Sequence, residues 1–283
     1  MGMLLLAHAA IPDEFEVAAV DHGLRAEAAQ ECALVERACA ERGIGCATLR
    51  VETGGGNLQA SARDARYAAL ARWAGDRGLG AVATAHHADD QAETLLMRLN
   101  RGSGVAGLAG VRESLLLAGT AIRLIRPLLA FRRHELAMVS EAVDFAADPS
   151  NADPRFDRVR IRRQLVACDW LEPVALARSA ANLAEAYEAL EAYADLLWQQ
   201  SVRQDSDSWR LAPGPSREMN RRLLARIMEQ LGGRPRGGDV ARLLGRLEAG
   251  EGGNLAGVLA TIVDGEWVLR PEPPRNLSSS PRT

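Results

Sequence analysis

Lysine is missing altogether: all 34 basic residues of this 283-residue chain are arginine. That absence excludes the lysine of a Walker-type phosphate loop, a Schiff-base lysine and a lysine general base. Any cation that meets a phosphate here must be an arginine, a histidine, a metal ion or a helix N-terminus. Aromatic residues make up only 4% of the chain, and the four cysteines (Cys32, Cys39, Cys46 and Cys168) form no C-x-x-C pair. Neither a structural zinc site nor an iron–sulfur site is therefore signalled, and free, small apolar thiols are the expectation. No apolar run approaches the ~20 residues that span a bilayer, and the opening MGMLLLAHAA has no basic flank. The reading is a soluble, cytoplasmic protein with no membrane partner. A net charge of −3 carries no global nucleic-acid signature, so such a function has to rest on local patches.

The length predicts about two domains of roughly 150 residues. Met1–Ala10 reads as a helix or the end of one, Phe15–Val20 as a short apolar run ending in Asp21-His22-Gly23, and Ala26–Arg42 as a helix. Cys46–Val51 reads as a strand, Gly54-Gly55-Gly56-Asn57 as a turn, Leu58–Arg77 as a helix, Ala81–Ala85 as a buried strand and His86–Asn100 as a helix. This alternation predicts an α/β fold with a doubly wound parallel sheet. Right-handed crossovers then bring Asp21-His22, the Gly54–Asn57 turn and His86–Asp90 to one sheet edge, where such folds bind ligands. Further on, Ile122–Ile125 reads as a strand, Arg132–Val143 as a helix, Asp148–Asn151 as a turn and Pro173–Val202 as a long amphipathic helix. Helices over Glu218–Leu231 and Asp239–Leu247 precede a hairpin turning at Asp264-Gly265. The division expected is a first domain over 1–165, a helical linker with a small α/β domain over 166–270, and a disordered Pro- and Ser-rich tail over 271–283.

Three clusters carry chemistry. His86-His87-Ala88-Asp89-Asp90-Gln91-Ala92-Glu93 follows a strand and opens a helix, with residues 86, 90 and 93 on one face. Carboxylates there either hold Mg²⁺ against a triphosphate or complement the helix dipole. Arg101-Gly102-Ser103-Gly104 suits a close backbone approach to phosphate, or a helix C-cap at Gly102. Arg155, Arg158, Arg160, Arg162 and Arg163 form the densest basic cluster and the best candidate for polyanion contact. Arg63 and Arg66 share a helix face that is either phosphate-facing or solvated.

Taken together, VDHGLR at 20–25, NLQASARDARYAAL at 57–70, TAHHADDQAETLLMRLNRGSGVAGLAGV at 84–111, IRPLL at 125–129 and DPSNADPRFDRVRIR at 148–162 resemble the tRNA(Ile)-lysidine synthase family. That family lies within the N-type ATP pyrophosphatases (PP-loop enzymes) of adenine nucleotide alpha hydrolase-like fold. The resemblance implies a ligase that uses ATP and Mg²⁺ to adenylate C2 of the wobble cytidine in a CAU-anticodon tRNA(Ile). The side-chain amine of free L-lysine then displaces AMP to leave lysidine. It implies catalytic roles for Asp89, Asp90 and Arg101, and ATP contacts for Asp21, His22, Gly23, His86, Arg63, Arg66 and Gly102. Arg155, Arg158, Arg160, Arg162 and Arg163 would face the tRNA, Asp90 would be the Mg²⁺ ligand, and a homodimer is compatible.

One part of the family pattern, an S-G-G-x-D-S loop after the first strand, is nowhere in the 283 residues. Met1–Ala10 resembles the helix that follows that loop. The expectation is that the first strand and loop are missing from the N-terminus, that this chain alone binds ATP poorly, and that neighbouring sheet edges are left unpaired. The rival readings are a PP-loop tRNA thiolase, disfavoured by the absence of C-x-x-C, an amidotransferase-linked nucleotide or NAD synthetase, and a non-catalytic RNA-binding remnant.

Overall fold

A computed structural model describes residues 1–21, 27–51, 58–141, 143, 155–235 and 237–273. His22, Gly23, the Gly54–Asn57 turn, the Asp148–Asn151 turn and the tail from 274 onward lie outside the described residues. The chain divides into two compact units, Met1–Glu185 and Ala186–Thr283. The division thus falls inside a helix, later than the expected 165/166.

The first unit opens with α1 (Gly2–Ala10), β1 (Val17–Asp21), α2 (Glu27–Ala40), β2 (Cys46–Arg50), α3 (Leu58–Asp76), β3 (Ala81–Ala83) and α4 (Ala88–Leu99). It continues with α5 (Val105–Leu108), β4 (Ser114–Leu116), β5 (Arg123–Ile125), α6 (Arg133–Val139), α7 (Asp157–Ala167) and the start of α8 (Pro173–Ser201). The parallel pairings predicted are present: β1 runs parallel to β2 in register Val17↔Cys46, and β3 parallel to β5 in register Ala81↔Arg123. β4 was not anticipated and pairs antiparallel with β5.

The sheet is in two pieces, β1-β2 and β3-β5-β4. Among the described residues β1 and β3 each pair on one side only, and an apolar cavity of about 390 Å³ adjoins both. Leu4 and Ala7 of α1, Val17 and Ala18 of β1, Ala81 and Ala83 of β3, and Trp73 line it. The core beneath is Leu70, Ala71 and Ala74 of α3 against Val82, Leu117, Ile122 and Leu124. Cys32 and Cys39 are buried free thiols, as their helical spacing suggested, and Cys46 is half-buried. Burial first, then the neighbouring Cys39, pushes the Cys46 thiol up to about 12, so it stays protonated.

In the second unit β6 (Val202–Asp205), β7 (Ser208–Leu211), β8 (Gly253–Leu255), β9 (Val258–Val263) and β10 (Glu266–Pro271) form one antiparallel sheet in the order β6-β7-β10-β9-β8. Leu224, Ile227 and Met228 of α9 (Arg217–Gln230) and Leu244 of α10 (Gly237–Glu248) bury against Leu211, Trp267 and Leu269. The Asp264-Gly265 turn has positive φ at both residues, the two-residue hairpin expected there. Pro271 is a correction: it ends β10 rather than beginning the tail, and the Glu272 N–H donates to Gly257 O. β10 is a central strand, but Pro271 is its last residue and lies past the Trp267–Leu269 stretch paired with β7, so no donor to that neighbour is lost.

Gln91 ties α4 to the segment after it. Its Nε2 donates to Val111 O at 2.7 Å and its Oε1 accepts from Val111 N at 2.6 Å. Beside it Gly110 adopts φ +65°, and a Cβ there would sit 2.6 Å from Gln91 Oε1 and 3.2 Å from Ala180 Cβ. Gly110→Ala therefore combines backbone strain with a clash against a buried amide. It is expected to destabilise the first unit by about 1–3 kcal/mol in urea unfolding. A midpoint equal to that of the parent chain would refute this account.

Candidate active site and nucleic-acid interface

β3 ends at Ala83, and the chain passes through Thr84 and His86 before α4 begins at Ala88. His87 is the N-cap: its Nδ1 accepts from Asp90 N at 3.3 Å while the His87 N–H donates to Asp90 Oδ2 at 3.1 Å. This reciprocal capping box fixes where the acidic turn starts. The buried Thr84 hydroxyl lies 3.0 Å from His86 Nδ1. Burial, and then the charges of Arg126, Arg63 and Arg158, push His86 down to about 4 against an opposing pull from Asp90. The imidazole is therefore neutral at physiological pH, in a cationic pocket at the C-terminal ends of β3 and β5.

The three acidic residues of this turn do different work. Asp89 accepts from Arg133 N at 2.7 Å and from Arg132 Nε at 3.2 Å, which docks the start of α6. Burial opposes its ionisation, but these two donors hold its carboxyl below the usual range. Asp90 accepts from Arg158 Nη2 at 2.7 Å. Glu93, only 1% exposed, accepts from Arg158 Nε at 2.6 Å and Arg162 Nε at 2.6 Å. Two successive inward-facing arginines of α7 thus clamp one buried carboxylate on α4, a pattern that stabilises only because every charge has a partner. Hydrogen bonding to Glu93 raises Arg162 above its already high value.

Of the remaining predicted residues, Arg101 reaches Asp157 at 2.8 Å, both exposed, and Arg160 pairs with the same carboxylate. Gly102 has φ +65°, and Ser103 N donates to Arg98 O, so it closes α4 as a left-handed cap. Arg63 lies over the Tyr67 ring at 5.4 Å and its charge reaches His86, whereas Arg66 is exposed on α3. Asp21 ends β1 opposite Arg50, in the other piece of sheet. Arg155 and Arg163 are exposed. The structure thus brings together His86, Asp90, Arg63 and Arg158, joins Arg101 to the α7 cluster, and leaves Arg66 outside this network.

The seam between α4 and α7 holds a cleft of about 670 Å³, lined by Thr94, Met97, Arg98, Arg101, Arg155, Phe156, Asp157, Arg158, Val159 and Arg162. Of the five arginines that line it, Arg158 and Arg162 are balanced by Asp90 and Glu93 and Arg101 by the exposed Asp157. Its cationic character therefore comes chiefly from Arg98 and Arg155 and from the weakly held Arg101.

Sequence reasoning passed over Arg126, Arg132 and Arg98. Arg126 is 2% exposed, donates to Arg112 O and lies beside His86, and its Nε finds no hydrogen-bond partner among the described residues. The signal was present: a charged residue inside the apolar run Ile125–Leu129 asks for a buried counterpart. Arg98 Nη1 donates to Gly107 O at 2.5 Å and Gly110 O at 3.0 Å, holding α5.

This geometry, parallel strands whose C-terminal ends meet a cationic pocket at a helix N-terminus, is that of a nucleotide-handling α/β domain. The PP-loop domain, as a family, matches residues 2–168. The chain is 47% identical over 273 residues to a tRNA(Ile)-lysidine synthase of Novosphingobium aromaticivorans, a match covering 94% of this chain and 84% of that protein. It is 39% identical to the tRNA(Ile)-lysidine synthase of Zymomonas mobilis over 96% of this chain and 85% of that one. To that of Ruegeria pomeroyi it is 43% identical over 90% and 69%. Among solved structures, the U34-tRNA thiolase NcsA of Methanococcus maripaludis is 19% identical with a TM-score of 0.49 over 67% of each chain. The chain belongs to the tRNA(Ile)-lysidine synthase family of PP-loop proteins.

His86 gives a direct check. Its folded value, about 4, lies below the unfolded 6.5, so between these values the unfolded chain binds the proton and the folded one does not. Stability is expected to fall as pH drops from about 6.5 to about 4, and His86→Gln is expected to flatten that dependence. An NMR titration midpoint for His86 near 6.5 would contradict the assignment.

Proposed function

We propose that this chain is an ATP-dependent carbon–nitrogen ligase that converts the wobble cytidine of CAU-anticodon tRNA(Ile) to lysidine with free L-lysine. The observation that carries this reading is the buried Glu93 junction. It ties the arginine helix α7 to the turn that holds His86 and Asp90, so a polyanion on α7 lies against the nucleotide edge. In the reaction the family implies, the C2 oxygen of the cytidine attacks the α-phosphorus of ATP and pyrophosphate leaves. The lysine ε-amine then adds to C2, and AMP departs with that oxygen while the amine gives up a proton.

The residues fit this chemistry as follows. Neutral His86 offers a hydrogen bond without adding charge, and at about 4 it is too weak a base to take the amine proton at neutral pH. Arg63 and Arg126 offset triphosphate charge. Asp21, at the end of β1, would face the adenosine; Gly102 closes the opposite end of α4 and Arg66 lies outside the His86 network, so neither borders this edge. Arg101, past the far end of α4 from His86, would meet a backbone phosphate of the RNA rather than the activated base. Among the described residues no three His, Cys, Asp or Glu side chains gather as a metal site. Mg²⁺, which commonly takes one or two carboxylates together with phosphate oxygens, would arrive with the triphosphate and use Asp90. It would neutralise charge on the leaving pyrophosphate. Asp89 acts one step removed, by holding Arg132 and α6. Arg155, Arg160 and Arg163 would face the tRNA backbone, whereas Arg158 and Arg162 are turned inward onto Asp90 and Glu93.

The test is AMP release by the purified chain with ATP, Mg²⁺, lysine and tRNA(Ile) transcript. It is run in parallel on a version carrying a strand and S-G-G-x-D-S loop ahead of Met1. Release that requires both lysine and the CAU transcript is expected, greater in the extended version, and reduced about 100-fold or more by Asp90→Asn. AMP release in either version that does not depend on lysine would overturn the reading.

A further inference from the structure

Phe156 has no part in the chemistry described so far. It is the N-cap of α7, its side chain makes no capping hydrogen bond, and it remains 40% exposed on the wall of the α4–α7 cleft. Phe131 and Trp170 are more exposed, but Phe156 is the aromatic residue that lines the arginine-rich cleft. Met97 and Thr94 of α4 also line this cleft, which makes it a mixed surface, part apolar and part cationic. Its volume falls within the range of clefts that hold small molecules and single nucleotide units.

We infer that this cleft seats one unpaired base of the RNA, stacked on the Phe156 ring, with the adjoining backbone phosphates on Arg101 and Arg155. The inference rests on the tRNA reading above and names which part of the RNA the cleft takes. Aromatic rings flanked by guanidinium groups are how proteins hold unstacked bases, because every base has a face to stack and every linkage a phosphate to neutralise. Arg101 is available for exchange. Its partner Asp157 is shared with Arg160, and both members of the Arg101–Asp157 pair are exposed, so the bond is worth little and a phosphate can replace it. The deeper pair, Arg158 and Arg162 on Glu93, stays in place as the floor.

The position also separates this seat from the ATP edge. Met97 lies ten residues along α4 from the His87 cap, about 15 Å at the helical rise. A base in the cleft and a triphosphate at His86 therefore occupy opposite ends of one helix. A single-stranded loop crossing the α4–α7 seam can meet both.

The experiment compares two RNAs, a 17-nucleotide CAU anticodon stem-loop and the same hairpin with abasic sites in the loop, by fluorescence anisotropy over a salt series. The proteins are the full chain, Phe156→Ala, Phe156→Tyr and Arg155→Ala, with circular dichroism melts checking each fold. The seat predicts that Phe156→Ala weakens the intact loop about tenfold and the abasic loop hardly at all, and that Phe156→Tyr restores binding. Arg155→Ala weakens both and lowers the salt slope. Salt-sensitive binding with equal or no loss on both RNAs in Phe156→Ala removes the base seat and leaves the tRNA reading standing. No salt-dependent binding of either RNA removes both. Competition by ATP that Phe156→Ala abolishes would assign the ring to ATP instead, and overturns the proposal.

Discussion

Glu93 is the side chain on which the arrangement hangs. A carboxylate at 1% exposure is tolerated only with its charge met and its oxygens bonded, and Arg158 and Arg162 do both. The consequence reaches well beyond the pair. α7 carries a dense run of arginine with little apolar surface of its own, Val159 being its buried side chain. Ion pairs therefore do the docking that a hydrophobic stripe does elsewhere. Because Arg158 also reaches Asp90, the contact that seats α7 shapes the field at the nucleotide edge. The same acid thus sets the position of the arginine helix and the charge balance beside neutral His86.

The division of the first unit's sheet is the second constraint. Strand edges left with one partner expose rows of N–H and C=O groups, and β1 and β3 both do so beside an apolar cavity. A strand entering there would find hydrogen-bond partners and a lining of Leu4, Ala7, Val17, Ala81 and Trp73. The S-G-G-x-D-S pattern is also absent from the sequence. The α4–α7 seam does not share this open edge: its cleft is lined by residues of α4 and α7, by Arg101 and by the segment leading into α7. The second unit has its own closed core.

Much of this was legible in the residues. The acidic turn after a strand, the arginine run and the Asp-Gly hairpin are local patterns that appear where their spacing put them, but the strand is Ala81–Ala83 with only Val82 buried, not the fully buried Ala81–Ala85 expected. What could not be read were pairings between distant segments: the partners of Glu93 lie 65 and 69 positions away and leave no periodic trace. β4 is three residues long, too short to alternate. The turns between β6 and β7 and between β8 and β9 use Ser206-Asp207 and Ala256-Gly257, weaker hairpin signals than Asp-Gly, though Ser206 and Ala256 still adopt positive φ. Of the two readings at Arg101-Gly102 the structure shows the C-cap: Gly102 closes the helix, and Arg101 pairs with Asp157 of α7. Arg126 was visible as a charge in an apolar run, but only the fold shows that it faces His86.

The central claim, that α7 is held by its charges on Glu93, is tested most directly by a double-mutant cycle in urea between Glu93→Gln and Arg162→Gln. A coupling of about 2 kcal/mol is expected, within the range for contacting buried groups and above that of exposed ion pairs. Additivity to within about 0.5 kcal/mol would show that the two side chains do not depend on each other and would contradict the account.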